Sequence, residues 1–339
     1  MIHVCYAISD YSGHYCKFAG TSIQSILDNT REKVTIHFVH DDTLPAENRR
    51  KLTDIVRRHN QRIIFYHAEN LAKDWCDRMR KIEWFARYGI GIGSMYRLLF
   101  PTLLPDDVEK VIYLDSDTIV NLDIKEFWNY DIQDAPIAAV SEYDAGANTR
   151  NYLRVKNGLI PFKEYINAGI LVFNLEQIRK SGKDWMIENC IKICNEHPEL
   201  HILDQESLAV LFLNRVHHLP RKFNLLLALE RKRNHEILDA IYHFAGSKCL
   251  YLNPVDKYNV LYLSYFVKTP FCTGETFQNL FNECVRIFSE SKKSVQDRLS
   301  NIQKTFKLKT QDSSTELAKD LFAPAAKRLP GSQEQLKKM

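Results

Sequence analysis

The sequence contains no long apolar run. Its 339 residues are 45% hydrophobic, yet no stretch approaches the roughly 18 consecutive apolar residues that a membrane-spanning helix needs. The first ten residues lack the basic region and small-residue cleavage site of a secretory signal, so we expect a core strand there. These two absences predict a protein of the cytoplasm.

The cysteines are not grouped as they are in zinc sites or disulfide frameworks. The chain has eight, and only Cys190 and Cys194 are spaced like metal ligands, without a second pair to accompany them. We therefore expect buried, reduced thiols in a reducing compartment.

Glycine is scarce, with 12 residues in the chain, and its one cluster lies at residues 89–93. This cluster has neither the spacing nor the preceding strand of a dinucleotide-binding loop. We expect it to be flexible or to approach another part of the chain closely.

Positive charge is concentrated at the carboxyl end. From Arg286 onward there are 12 Lys/Arg and 6 Asp/Glu, whereas the preceding residues hold 34 Lys/Arg and 36 Asp/Glu. A basic tail can bind nucleic acid, but no recognised motif accompanies it, so we expect no nucleic-acid partner. Peripheral contact with anionic lipid and a plain solvated tail both remain open.

Hydrophobic periodicity predicts an α/β fold. Strands expected at 2–8, 34–39 and 62–66 alternate with helices expected at 18–27 and 45–59. This order is typical of a mostly parallel, doubly wound sheet, which binds its ligands at the carboxyl ends of the strands.

Further elements follow the same kinds of pattern. We expect a helix from Met95 to Phe100, capped by Ser94 and stopped by Pro101, and a single helix over 176–197. Additional strands are expected at 111–114, 136–140, 170–175, 216–219 and 237–243.

The most informative stretch is the predicted strand 111–114 with Asp115, Ser116 and Asp117 directly after it. Buried carboxylates are costly unless they are paired or bound to a metal. Carboxylate oxygens suit Mg²⁺ or Mn²⁺, which often bind the phosphates of a substrate as well. The alternative is an Asx turn that simply ends the strand.

Other polar residues stand where elements begin or end. Asn167 precedes two small residues and an apolar strand, so its amide could face a closely approaching ligand. Asp204 and Gln205 stand at a predicted helix start, where they could face a sugar or only cap the helix. Arg97 could bind phosphate or a carboxylate, or lie on the surface.

His243 ends a predicted apolar strand, with Gly246 and Lys248 shortly after it. A histidine in this position is usually structural, but it can also complete a metal site that carboxylates begin. Because the Gly246 backbone and the Lys248 ammonium suit a diphosphate, the ligand role is favoured.

These blocks, in this order, resemble a retaining glycosyltransferase of family 8, the family of bacterial lipopolysaccharide galactosyl- and glucosyltransferases and of the glycogenins. The resemblance extends from about Ile2 to Pro254 and does not cover the tail. It implies a GT-A fold, in which helices flank a Rossmann-like, mostly parallel sheet. We expect this domain over residues 1–270, a helical, basic extension over 271–310 and a flexible tail over 311–339.

The resemblance also implies roles for single residues. Asp115, Asp117 and His243 would hold Mn²⁺ or Mg²⁺, and Asn167, Asp204 and Gln205 would contact the transferred sugar. The UDP-sugar donor would be bound by Ala7, Ser9, Asp10 and Tyr11 at uridine, by Arg97, Ser116, Asn167 and Glu142 near the metal and sugar, and by Gly246 and Lys248 at the diphosphate. This chain departs from the family's usual pattern at Ser9, where a carboxylate is common, and at Glu142, where Asp is common.

The implied reaction moves galactose or glucose from a UDP-sugar to a saccharide or glycolipid acceptor, such as lipopolysaccharide core. The departing diphosphate gains negative charge, which a cation, Lys248 and backbone dipoles would stabilise. The sugar becomes oxocarbenium-like, as in glycoside hydrolysis. Because Gln205 is a poor nucleophile, we favour a front-face route in which the leaving phosphate helps to deprotonate the acceptor.

Two other functions fit some of the same residues. A Mg²⁺-dependent nucleotidyl- or phosphotransferase could use Asp115 and Asp117, but it would usually carry a glycine-rich phosphate loop. A non-catalytic nucleotide-sugar-binding protein would have little need for Asp204 and Gln205 beside a metal site.

Overall fold

The computed structural model describes residues 1–290 except 12, 14, 89–90, 146–154, 156, 234–235, 247–255, 277, 280–281, 283–284 and 287–288. The chain divides into two units, Met1–Leu280 and Phe281–Met339, and every element named below belongs to the first. The division predicted at residues 270 and 310 stays a prediction. In the described part of the chain, no helix combines the length and apolar character that crossing a bilayer requires.

The first third of the chain alternates strands with helices, as the periodicity predicts. Its elements are β1 (Ile2–Ala7), α1 (Tyr15–Asn29), β2 (Val34–His40), α2 (Ala46–Arg58), β3 (Arg62–His67), α3 (Ala68–Leu71), α4 (Lys73–Arg80) and α5 (Glu83–Tyr88). The apolar stripe of each helix packs against the sheet. Ile23 and Ile26 of α1 and Ile55 of α2 are therefore completely buried.

The middle of the chain carries most of the polar residues singled out above. It contains a 3-10 helix (Ile92–Leu99), α6 (Phe100–Leu103), β4 (Lys110–Leu114), β5 (Thr118–Val120), α7 (Ile124–Trp128), β6 (Ile137–Ser141), α8 (Glu142–Ala145), a second 3-10 helix (Phe162–Glu164) and β7 (Ile166–Asn174).

The remaining described elements complete the first unit. They are α9 (Leu175–Arg179), α10 (Trp185–Glu196), α11 (Leu203–Leu211), β8 (Val216–His218), a third 3-10 helix (Arg221–Phe223), β9 (Leu225–Leu226), α12 (Leu227–Arg233), β10 (Ile241–His243) and α13 (Lys257–Phe266).

A seven-stranded, mostly parallel sheet forms the centre of the molecule. Its strand order is β3-β2-β1-β4-β7-β6-β8. The four strands from β3 to β4 are parallel to one another, β7 is antiparallel to both of its neighbours, and β8 is parallel to β6. Buried clusters lie on the two faces of this sheet, so the predicted α/β architecture is confirmed.

A second, three-stranded sheet has the order β5-β10-β9. β5 begins four residues after β4 ends, and His243 of β10 lies opposite Thr118 of β5. The small sheet therefore returns a late segment of the chain to the carboxyl end of β4.

Two helix predictions were wrong, and the strand predicted over 237–243 is shorter, at Ile241–His243. Residues 92–99 form a 3-10 helix with Ser94 inside it, and Pro101 lies in the first turn of the following α6. Proline is tolerated there because an amide of the first turn has no partner within the helix. The single helix expected over 176–197 is two helices, α9 and α10, which a turn at Gly182 with φ +110° separates.

Candidate functional site

Asp115, Asp117 and His243 come together at the carboxyl end of β4. The His243 Nε2 atom lies 3.7 Å from Asp115 Oδ2 and 3.4 Å from Asp117 Oδ1. One ligand atom from each residue lies within 4.8 Å of the other two. The pairing of β10 with β5 produces this approach across more than 120 residues of sequence. The three residues predicted to share a metal site therefore lie close together, and their role as metal ligands stays a prediction.

Gly169 makes room for this cluster. The Asp115 amide donates to the Gly169 carbonyl at 2.7 Å, so β7 runs directly beside Asp115. A Cβ atom at Gly169 would lie 2.1 Å from His243 Cε1 and 2.8 Å from Asp115 Oδ2. The side chains of His243 and Asp115 therefore leave no room for a residue larger than glycine at position 169.

The electrostatics of the cluster favour a cation. Burial opposes charge on His243, but the hydrogen bond to Asp117 and the charges of Asp117 and Asp115 raise its pKa above the ordinary value. Burial raises the pKa of Asp115, against the opposing charge of Arg97. Two carboxylates and one imidazole supply oxygen and nitrogen donors that fit Mn²⁺ or Mg²⁺.

Arg97 lies buried between the Asp115–Asp117–His243 cluster and the start of α11. Its Nη2 atom is 3.0 Å from Asp115 Oδ1 and 3.0 Å from Asp204 Oδ2. Its Nη1 donates to the Ala168 carbonyl at 2.6 Å, and its guanidinium stands 4.5 Å over the Tyr113 ring. The surface alternative for Arg97 is thus wrong.

Asp204 does not cap its helix. The residue that precedes α11 is Ile202, whose side chain makes no capping hydrogen bond. Instead the Asp204 carboxylate pairs with Arg97. The helix start therefore presents Asp204 and Gln205 on the side of the metal cluster, as the sugar-facing alternative requires.

Glu142, Asn167 and Gln205 form one buried network. The Gln205 Oε1 accepts from the Ala168 amide at 3.0 Å, and its Nε2 donates to Glu142 Oε1 at 3.2 Å. Asn167 Nδ2 donates to the same Glu142 oxygen at 3.3 Å. Burial raises the pKa of Glu142, and the two amide donors oppose that rise.

Three buried residues that contact the site were not predicted from the sequence. Glu206 accepts from the Tyr165 hydroxyl and from the backbone amide of His201, the latter at 2.7 Å. The Tyr113 hydroxyl donates to Asp115, and Asn224 contacts both His243 and Asn167. Asn224 stands between apolar residues of the sequence, a pattern that signals a buried amide but not its partners.

The predicted uridine-binding segment follows β1. Ser9 Oγ donates to Asp41 Oδ2 at 2.6 Å. Ser9 stands where the family often has an acid, and here a carboxylate that directly follows β2 contacts this position. A Cβ atom at Gly93 would lie 2.5 Å from the Ser9 Cβ. The glycine cluster therefore approaches the chain closely at Gly93, as one of the two expectations for it required.

The neighbours of Ser9 have different environments. Ala7 ends β1 and is half-buried. The Asp10 carboxylate is buried and accepts from the Tyr15 amide at 2.8 Å, at the start of α1. Tyr11 is 78% exposed. Contacts of these residues with uridine stay predictions.

The predicted diphosphate end is only partly within the described residues. Gly246 is exposed and has φ +69°, a backbone conformation that favours glycine. Ser116, which stands between Asp115 and Asp117 in the sequence, is buried. Lys248 lies outside the described residues.

Comparisons with known proteins agree with this geometry. A sequence model of the family described as glycosyl transferase family 8 matches residues 6–248. General stress protein A of Bacillus subtilis is 26% identical over 263 residues, which cover 72% of this chain and 86% of that protein. Lipopolysaccharide 1,3-galactosyltransferase of Salmonella typhimurium is 25% identical over 250 residues, which cover 71% of this chain and 65% of that protein.

Among solved structures, galactosyltransferase LgtC in complex with donor and acceptor sugar analogues superposes with a TM-score of 0.62 at 19% identity. The superposition covers 81% of this chain and 98% of LgtC. This likeness shows that the chain has the predicted GT-A fold.

Proposed function

The chain belongs to glycosyltransferase family 8, and we propose that it moves galactose or glucose from a UDP-sugar to a saccharide acceptor with retention of anomeric configuration. The observation that carries this proposal is the Asp115–Asp117–His243 cluster directly beside the buried amides of Asn167 and Gln205. Relatives that include lipopolysaccharide galactosyl- and glucosyltransferases support a cell-surface glycan such as lipopolysaccharide core as the acceptor.

The metal is part of the proposal. Asp115, Asp117 and His243 would hold Mn²⁺, with Mg²⁺ as the substitute. When bound, such an ion supplies positive charge where the diphosphate develops negative charge. Arg97 adds a second, permanent charge and keeps the Asp115 carboxylate in place through the contact at 3.0 Å.

The sugar end of the site supports the front-face route. A double displacement needs a free carboxylate beside the anomeric carbon. The Gln205 side chain carries no charge, and its amide oxygen already accepts the Ala168 N–H. Glu142 is a carboxylate, but its Oε1 accepts two amide donors that hold it in place. Asn167, Asp204 and Gln205 would therefore orient the hexose, and the departing phosphate would take the acceptor proton.

UDP release from a panel of UDP-sugars tests the proposal. We expect release from UDP-galactose or UDP-glucose with Mn²⁺, loss of release with a chelator, and a loss of about 10²-fold or more in Asp117→Asn, because the ion then lacks one ligand. Asp134→Asn, at an exposed position, is the matched control and should keep wild-type activity. Release of sugar 1-phosphate, which accompanies transfer of UMP, would favour a nucleotidyltransferase, and binding without release would favour a non-catalytic protein.

We further propose a peripheral contact of the basic tail with anionic membranes on the cytoplasmic side, where a lipid-linked acceptor could be reached. Its support is the net charge of +6 from Arg286 onward, since each basic residue near such a surface contributes about 1 kcal/mol. The free, mostly buried thiols of the six described cysteines fit a reducing compartment.

Sedimentation with vesicles that contain phosphatidylserine tests the membrane contact. We expect the full-length chain to sediment at low salt and to be released at high salt. A variant with glutamate at five tail lysines should stay in the supernatant; these are Lys292, Lys293, Lys304, Lys307 and Lys309. Equal sedimentation of both proteins would contradict the proposal.

A further inference from the structure

Asn224 lies between the metal cluster and the sugar-facing network. It is completely buried and directly precedes β9, which pairs with β10 beside His243. Its Nδ2 donates to Asn167 Oδ1 at 2.8 Å. Its Oδ1 lies 3.2 Å from His243 Nδ1. One side chain thus contacts both halves of the site.

A backbone amide fixes the direction of these hydrogen bonds. The Gly169 N–H donates to Asn167 Oδ1 at 3.1 Å, and a backbone N–H can only donate. The Asn167 oxygen is therefore the acceptor on this side, and Asn224 must turn its NH₂ group towards it. This orientation leaves the Asn224 oxygen for His243.

The tautomer of His243 follows from that orientation. Because the Asn224 oxygen can only accept, a neutral His243 ring that keeps this hydrogen bond has its proton on Nδ1. The Nε2 lone pair then points towards Asp115 and Asp117, where a cation would be held. With the proton on Nε2, the ring could not serve as a metal ligand through that nitrogen.

We propose that Asn224 is a positioning residue that keeps the His243 Nε2 atom available to the cation and fixes the Asn167 amide in the sugar pocket. This inference rests on the proposed function of the site. Partners of the second nitrogen of a metal-binding histidine set the orientation of its ring, and their loss typically weakens metal affinity 10- to 100-fold.

The first test measures Mn²⁺ binding to the full-length protein without nucleotide, by electron paramagnetic resonance. Asn224→Leu is similar in size and loses both hydrogen bonds, so we expect about 10- to 100-fold weaker binding. Asn224→Asp keeps an acceptor for the His243 Nδ1–H but cannot donate to Asn167. It should bind Mn²⁺ within about threefold of wild type while kcat for UDP release falls.

The second test reports the tautomer directly. In protein labelled with ¹⁵N-histidine, with the same total concentration of diamagnetic Mg²⁺ in each sample, we expect the Nδ1-protonated form for His243 in wild type and Asn224→Asp. In Asn224→Leu both tautomers should be populated. A role limited to packing would not change this spectrum.

Asn259→Leu is the matched control. Asn259 is another buried asparagine; it lies in α13 and accepts from Arg231. We expect its replacement to reduce the thermal stability but not the Mn²⁺ affinity. Should Asn224→Leu not fold, Asn224→Ala, which also removes both hydrogen bonds, takes its place.

Wild-type Mn²⁺ affinity in a folded Asn224→Leu or Asn224→Ala protein would overturn the inference, and so would an equal loss of affinity in Asn259→Leu. Because these measurements involve no sugar transfer, they are independent of the proposed reaction. A protein that needs Asn224 for Mn²⁺ but releases no UDP from any UDP-sugar would refute the proposed function alone.

Discussion

At the scale of single residues, the absence of a side chain at Gly169 makes room for the cluster of Asp115, Asp117 and His243. In Gly169→Ala the new methyl group would lie 2.1 Å from the His243 ring and 2.8 Å from Asp115, so these ligands must move. Displacements of about 1 Å in a reacting site can cost 10²-fold in rate. We expect UDP release to fall by about that factor and Mn²⁺ binding, measured by electron paramagnetic resonance, to weaken about 10-fold or more.

The control for this substitution is Gly274→Ala. A Cβ atom at Gly274 would meet nothing within 4 Å, and the residue is exposed in a helix. Alanine there should keep wild-type activity and be neutral or slightly stabilising. Unchanged Mn²⁺ affinity in Gly169→Ala would mean that the ligands are not as tightly placed as described above.

Arg97 cannot be replaced by the other long cation. Its guanidinium contacts Asp115, Asp204 and two backbone carbonyls at once, and the ammonium of a lysine cannot match that planar set of donors. In Arg97→Lys we expect a loss of about 10²-fold in UDP release, because Asp115 and Asp204 shift. Arg87→Lys, at an exposed pair with Glu83, should have no measurable effect on the same assay.

Residue types and strand ends predicted much of this site, but not its supporting contacts. Asp115, Asp117 and His243 could be grouped because each follows or ends an apolar strand. The contacts of Asn224 and Glu206 could not be predicted, since their partners lie as far as 57 residues away and depend on the packed structure. The sequence therefore reveals ligands more readily than the residues that orient them.

At the scale of elements, Glu206 determines how α11 begins. Its carboxylate accepts three donors, the Tyr165 hydroxyl and the amides of His201 and Ile202. In Glu206→Gln the amide oxygen can keep the two backbone N–H donors, but these bonds lose a charged acceptor and the bond to the Tyr165 hydroxyl must reverse its direction. We expect the free energy of unfolding in urea to fall by about 1–3 kcal/mol and activity to fall as Asp204 and Gln205 move.

An acid on the surface of the preceding helix provides the comparison. Glu196 lies exposed in α10, four residues after Lys192, at a Nζ–Oε1 distance of 3.8 Å. Exposed pairs of this kind are worth about 0.3–0.5 kcal/mol, so Glu196→Gln should be nearly neutral. If the two substitutions had equal effects, the buried hydrogen bonds of Glu206 would not be what holds the start of α11.

Local sequence patterns predicted the positions of buried strands, but not the type of a short helix or the pairing of the strands. β1, β2 and β4 are apolar runs that the sheet buries, so their positions were predicted to within a residue or two. The 3-10 helix at 92–99 was not predicted, because apolar spacing in so short a segment does not distinguish a 3-10 helix from an α-helix. Strand pairing was not predicted either: β7 lies between β4 and β6 although it follows both in sequence.

At the scale of the whole molecule, the site depends on the meeting of two sheets. The large sheet supplies the carboxylates at the end of β4, and the small sheet supplies the histidine at the end of β10. The predicted doubly wound sheet accounts for the first part, as ligand sites at carboxyl strand ends usually do. The second part required the antiparallel pairing of β5 with β10, and no pattern in the sequence predicted that pairing.

The global stability should depend on pH through His37, which lies in β2 away from the metal cluster. His37 bonds to the His3 ring at 2.9 Å and to the Tyr66 hydroxyl at 2.9 Å. Burial, with the nearby charges of His3 and Arg62, lowers the pKa of His37 to about 3. In the unfolded chain an ordinary histidine has a pKa of about 6.5.

Between these two pKa values the unfolded chain binds a proton at His37 that the folded protein does not. Stability therefore rises with pH through this window and is lost as the pH falls below about 6.5. At pH 5 the loss from His37 is about 2 kcal/mol, from about 1.4 kcal/mol per pH unit. The free energy of unfolding in urea should be lower at pH 5 than at pH 7.5. We expect this pH-dependent decrease to be about 2 kcal/mol smaller in His37→Gln than in wild type. An identical pH dependence in the two proteins would mean that the folded protein also protonates His37 in this range, which its burial against His3 and Tyr66 should prevent.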